Sequence, residues 1–334
     1  MLNAIADDNA VVRMTAAHAA VNLHADRALE EIADYVGDLL LAEPHPAVQI
    51  ALLQQLGYVL VGAEVTVDAV LELLLNEIDV QPGTDLGRLV IGMLAHLALV
   101  PRTEFASRTI EQWCKSAPQH ADQIEVFAQH VRDFLGINGG DAQTEAYRLL
   151  GAAAQSSHER WNLDAEEHRA PTLSEQQRAE LEGAVKVAYG IAQQIYFTTG
   201  GAYEHEEKQG PPPGPQYAEF AALAYPLLTT CASLHVPQCI QEAVKTMIFL
   251  APLDEQRALS SISKAVPVHG LYASDPLAGD DIIPYLQRLL TEHRQLVLHD
   301  TYGTAAFRHL LATFASAGNT EALTLAYTFA DVFR

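Results

Sequence analysis

Residues 7–23, DDNAVVRMTAAHAAVNL, carry the reading on which the fold turns. An acidic pair and Asn9 come first, then Val11-Val12-Arg13, then alanines and aliphatics. Val12, Ala16, Ala19, Ala20 and Leu23 recur at helical spacing and share one face. Asp8 or Asn9 offers a side-chain oxygen to cap the helix start. A second stretch, HPAVQIALLQQLGYVL at 45–60, repeats this layout. Val48-Gln49 stands 36 residues after Val12-Arg13, and Leu52 and Leu56 match Ala16 and Ala20 as core positions. TDLGRLVIGMLAHLAL at 84–99 follows as a third unit, drifting by one to three residues. A period near 36–40 with two helices per unit marks stacked helical repeats, because one helix pair cannot bury both its apolar faces alone.

Helical periodicity continues through the chain. Further helices are expected at 28–41, 66–78, 84–99, 102–116, 119–135 and 141–155. A long one follows at 173–198, then others at 216–234, 237–250, 254–265, 279–298, 303–316 and 319–332. VLVGAEVTV (59–67) and VPVHGLYA (266–273) are β-compatible but isolated, and a lone strand leaves its backbone unsatisfied. The fold class is therefore all-α. The expected arrangement is a superhelical array of antiparallel helix pairs, with bundle-like packing open for the C-terminal half. Three regions follow: repeats over 1–155, a polar linker at 156–172 (SSHERWNLDAEEHRAPT), and a helical region at 173–334. The last is interrupted by the loop GGAYEHEEKQGPPPGP at 200–215.

The quoted opening resembles the second helix of a HEAT repeat: an acidic or Asn turn, Val-Arg, then small and aliphatic positions. The resemblance covers about residues 1–100. It implies a HEAT-like α-solenoid in which a turn acid and an arginine ladder adjacent repeats, the roles of Asp8 and Arg13 here. The second unit departs from that pattern, with His45 in place of the acid and Gln49 in place of the Arg. It also implies a partner helix ahead of Asp7, where only six residues stand. The expectation is thus an internal or C-terminal arm of a larger protein, of the kind carried by bacterial NTPases, including sensor and defence ATPases.

Composition narrows the function classes. The chain has 334 residues, with 20 Lys plus Arg against 42 Asp plus Glu, a net charge of −22. Such a field repels nucleic-acid phosphate and anionic lipid and suits a basic protein partner. Three cysteines, Cys114, Cys231 and Cys239, form no CxxC pair, so the expected compartment is the reducing cytoplasm. No secretory signal opens the chain, and no apolar run approaches the ~18–20 residues of a membrane helix.

No GxxxxGK[ST], HExxH, GxSxG or GxGxxG occurs, and no cofactor is expected. His158, Glu159, Asp164, Glu166, Glu167 and His168 combine metal-ligand types, but at no recognised spacing; a solvated charged loop is the simpler reading. Arg160-Trp161 is the candidate partner-binding pair, since exposed Trp and Arg anchor interfaces. Cys231 and Cys239 with His235 between them read as buried small residues. Asp280-Asp281 reads as helix-start charge. His293, His299 and His309 meet only if their helices bring them together. The expected function is a non-catalytic protein-interaction scaffold. The alternatives are an all-α enzyme with its pocket near 156–215, dependent on His158 or His168, and a helical pocket for a small apolar ligand in a continuous internal cavity.

Overall fold

The structure, a computed structural model, describes residues 2–23, 37–59, 64–77, 80–137, 140–163, 173–199, 213–268 and 270–332. The described residues are helical throughout their regular structure, and no strand occurs among them. The chain divides into two compact units: Met1–Lys115 with Asp122–Val131, and Ser116–Ala121 with Arg132–Arg334.

The first unit contains α1 (Ala10–Leu23), α2 (Pro46–Val59), α3 (Glu64–Glu77), α4 (Asp85–Leu99) and α5 (Glu104–Lys115). It also holds most of α6 (Ala121–Leu135). Helix α1 packs on α2, and α2 packs in turn on α4. The three helices quoted from the sequence therefore stack on one another. Pro46 occupies the first position of α2, where a missing amide hydrogen costs nothing. Thr84 caps α4, its hydroxyl accepting from the Gly87 amide at 3.0 Å. The apolar positions bury as the periodicity predicts: Leu52, Leu53, Leu56, Val90, Ile91 and Leu94 are all 3% exposed or less. Val48 is 2% exposed, whereas its counterpart Val12 is 37% exposed. The difference follows from neighbours, since α2 is covered by both α1 and α4.

One carboxylate organises the other half of this unit. Asp68, on α3, is buried and accepts from the Thr103 hydroxyl at 2.8 Å and from the Phe105 and Ala106 amides at 2.8 and 2.9 Å. These amides lie in the first turn of α5 and have no partner within the helix. Asp68 thus caps a helix to which it does not belong.

The second unit contains α7 (Gly140–Leu163), α8 (Glu175–Thr198), α9 (Ala218–Ala232), α10 (Pro237–Leu250), α11 (Glu255–Ala265), α12 (Pro276–Glu292), α13 (Thr301–Ser316) and α14 (Thr320–Val332). Helix α8 is its axis and packs against α7, α9, α10 and the Ala117–His120 turn. Ser174 opens it with a reciprocal capping box to Gln177. Ala184, Val187, Ala188, Ile191, Ala192 and Ile195 are at most 1% exposed, so alternating small and branched residues let neighbours approach from several sides. At Gly183 a Cβ would collide with the Pro118 carbonyl; at buried Gly190 it would meet open space.

Two sequence expectations change here. The polar linker was expected to begin at 156, but α7 continues to Leu163; residues 164–172 lie outside the described residues. No Gly or Pro lies between Gly151 and Pro171, and Ala153, Ala154 and Ser157 bury one face while the polar residues take the other. The division between units falls at residues 115–132 instead. In the expected 28–41 helix, residues up to 36 lie outside the described residues and 37–42 are helical; in the 200–215 loop, residues 200–212 lie outside them.

Gly183→Ala should lower unfolding stability by about 1–3 kcal/mol through overpacking. Gly190→Ala should raise it by about 0.5–1 kcal/mol through helix propensity. Asp68→Ala should cost about 1–3 kcal/mol, because two helix amides and a hydroxyl lose their acceptor. Urea unfolding followed by circular dichroism measures all three. Equal effects at the two glycines would show that the Pro118 contact does not govern α8.

Candidate functional site

Arg13 joins the turn before α1 to the turn before α2. Arg13 Nη1 donates to the Asp7 carbonyl at 2.8 Å and the Asp8 carbonyl at 3.1 Å. Its Nε and Nη2 form a two-pronged pair with the Glu43 carboxylate, each at 2.8 Å. Around it, one hydrogen-bond pattern occurs twice. The Asn9 amide donates to Asp7 Oδ1 at 2.8 Å, and the His45 amide to Glu43 Oε1 at 2.9 Å. The Val11 amide donates to Asn9 Oδ1 at 2.9 Å, and the Ala47 amide to His45 Nδ1 at 3.3 Å. The Arg13 side chain reaches the Asp7 carbonyl, and the buried Gln49 side chain reaches the Glu43 carbonyl at 2.8 Å. Each position in the second set stands 36 residues after its match in the first.

This corrects the reading of the ladder. Its acid is Glu43, and Asp8 contributes a backbone carbonyl to Arg13. The acid of the second unit is not replaced by His45; it lies two residues earlier, in register with Asp7. A recurring acid six residues before Arg13 and Gln49 was present in the sequence and marks it. Hydrogen bonding from Arg13 holds the Glu43 carboxyl below its ordinary range, against the opposing effect of burial.

Arg160 and Trp161 are half-buried near the end of α7 rather than an exposed pair. Arg160 Nε lies 2.6 Å from Glu180 on α8. Burial pushes the Glu180 carboxyl up, but hydrogen bonds from Arg160, Gln176 and Gln119 outweigh it and leave the group lowered. Arg160 therefore ties α7 to α8.

The remaining sequence candidates scatter. His158 Nδ1 lies 2.7 Å from Ser233 Oγ, the geometry of a nucleophile and base. Ser233 Oγ also lies 2.6 Å from the Thr230 carbonyl, so the serine has two partners, and the direction of its bond with His158 follows the His158 tautomer. Burial pushes the Cys231 thiol up and the Cys239 thiol up to about 12, which makes both poor nucleophiles. His293 lies 3.5 Å from Glu255, while His309 Nε2 meets the Val266 carbonyl at 2.8 Å, so these two serve separate contacts. Asp164, Glu166, Glu167 and His168 lie outside the described residues. Among the described residues, no group of three His, Cys, Asp or Glu is placed to hold a metal ion. No single described helix is long and apolar enough to cross a membrane.

A cleft in the second unit gathers charge that the sequence reading assigned to a helix start. It has a volume of about 540 Å3 and is bounded by Tyr189 on α8, Pro237 to Lys245 on α10, Tyr272, and Asp280 and Asp281 on α12. Gln238, Gln241, Glu242 and Lys245 share one face of α10 and line it. Tyr272 is 1% exposed and donates its hydroxyl to Gln241 Oε1 at 2.8 Å; Gln241 Nε2 donates to Asp281 Oδ2 at 2.5 Å. Lys245 Nζ lies 3.6 Å from Glu242 and 5.5 Å from the Tyr196 ring centre. The tyrosines register the local field. Burial, then Glu242 and Asp281, pushes the Tyr196 hydroxyl up to about 12. Burial followed by Asp281, Asp275 and Glu242 raises Tyr272 as well. A shallower groove of about 340 Å3 runs along Thr320, Thr324 and Thr328. There the Thr324 and Thr328 hydroxyls donate to carbonyls of their own helix.

The chain matches no protein-family model, no curated protein and no solved structure.

Glu43 yields a signed pH prediction. Its folded carboxyl titrates below the ordinary 4.5, so its contribution is complete above that pH and disappears as pH falls through the folded value. Glu43→Gln should destabilise the chain at pH 7 and flatten its stability profile below pH 4.5. Thermal melts across pH measure this, and an unchanged acid limb would separate the pair from stability.

Proposed function

We propose that this chain is a non-catalytic protein-interaction scaffold built from HEAT-like helical repeats. The observation that carries the reading is the hydrogen-bond set around Asp7-Asn9-Arg13, which recurs 36 residues later around Glu43-His45-Gln49. A turn built twice by the same side-chain logic is what a stacked repeat requires, because each unit must present the same edge to its neighbour. The Arg13–Glu43 pair supports the array by joining one unit to the next. The chemistry of the described side chains also favours binding over turnover. The thiols of Cys231 and Cys239 are pushed up by burial, and four carboxylates line an open cleft. The partner this reading favours is a basic protein, because the chain carries −22.

The test is affinity capture with the full chain as bait from the cells that express it, followed by size-exclusion chromatography of the purified pair. A stoichiometric complex that weakens as salt rises is the expected result. A bait that captures no protein, but retains a small molecule in native mass spectrometry, would replace the scaffold with a ligand-binding reading.

A further inference from the structure

We infer that the cleft between α8, α10 and α12 docks a lysine- or arginine-bearing segment of a partner protein, a conclusion that rests on the scaffold reading and names its partner's chemistry. The groove has apolar and aromatic walls, formed by Tyr189, Pro237 and Tyr272. Its rim carries four carboxylates, Glu242, Asp275, Asp280 and Asp281, against the single ammonium of Lys245. Three negative charges therefore remain at neutral pH in a groove walled by low-dielectric side chains, which concentrates the field. A long cationic side chain matches both features: its stem covers apolar wall while its head reaches the carboxylates.

The groove already treats one cation in this way. Lys245 sits with its ammonium between a carboxylate, Glu242, and an aromatic face, Tyr196. An incoming ammonium or guanidinium meets the same two kinds of partner in Asp280, Asp281 and the half-buried Tyr189. Asp281 is also held in place before any partner arrives. The buried Tyr272 hydroxyl orients Gln241, and Gln241 orients Asp281. Binding then requires little side-chain ordering on this side of the interface.

Other occupants fit less well. Phosphate and carboxylate ligands are repelled by the rim. A metal ion lacks three convergent ligands among the described residues. A purely apolar helix would strip water from carboxylates without pairing them. The volume of about 540 Å3 holds one long side chain and its flanking backbone, so the contact is a short segment rather than a whole domain face.

The test is fluorescence anisotropy of the full chain with a fluorescein-labelled Lys-Ala repeat peptide and its lysine-acetylated twin. The unmodified peptide should bind and the acetylated one should not. Asp280→Asn/Asp281→Asn should weaken binding about tenfold, whereas Asp141→Asn/Glu219→Gln, an equal charge change at exposed positions outside the cleft, should change it less than about twofold. Lys245→Gln should tighten binding about threefold by removing the resident cation, an effect that misfolding does not produce. Equal weakening by the two double variants, or weaker binding by Lys245→Gln, overturns the cleft as the site. A partner captured as described above that remains bound to Asp280→Asn/Asp281→Asn also overturns it, and leaves the scaffold reading standing. If no partner is captured at all, it is the scaffold reading that fails.

Discussion

Short helices must be covered by other helices, and that requirement shapes both units. Apart from α7 and α8, at 24 residues each, the labelled helices run from 11 to 17 residues. Helices of this length are marginal in water by themselves, so tertiary packing supplies most of their stability. Helix α2 illustrates the consequence. It lies between α1 and α4, and Val48, Ala51, Leu52, Leu53 and Leu56 are nearly or fully removed from solvent. In the second unit α8 has the same role with more neighbours, and its small residues set how closely they approach.

Covering helices buries their ends, and buried ends need polar partners. Asp68 answers this from a different helix, by capping α5. Asp254 and Asp300 answer it locally, accepting from Arg257 and Gly303 amides. The Arg13–Glu43 pair belongs to the same class of device. It satisfies two backbone carbonyls at one turn and a carboxylate from the next, so a single guanidinium joins the starts of α1 and α2. In the second unit half-buried polar groups also converge on the α10 face where Gln241, Glu242 and Lys245 stand.

The acidic balance acts at two levels. Across the chain, −22 repels polyanions and attracts cations, more weakly as salt rises. Within the cleft, the same excess becomes directional, because Tyr272 and Gln241 fix one carboxylate and Lys245 offsets another. Charge that is diffuse on the surface becomes specific where side chains are held.

The sequence by itself determined the helical class, most helix positions and the 36-residue register, because these depend on local periodicity and on capping residues that stand next to the helices they start. Ser174 and Thr84, which cap α8 and α4, stand next to the helices they start. What only the tertiary structure decided were pairings across long separations. Glu43 lies 30 residues from Arg13, Asp68 lies 35 from Thr103, and Gln241 lies 40 from Asp281. Arg160-Trp161 looked like an exposed anchor because polar neighbours surround it in sequence, yet Glu180 on the next helix engages Arg160. Asp280-Asp281 looked like helix-start charge until α8 and α10 supplied the other walls of a cleft. Periodicity shows which face of a helix is apolar; which helix covers that face, and which charges it brings along, depends on the path of the chain in space.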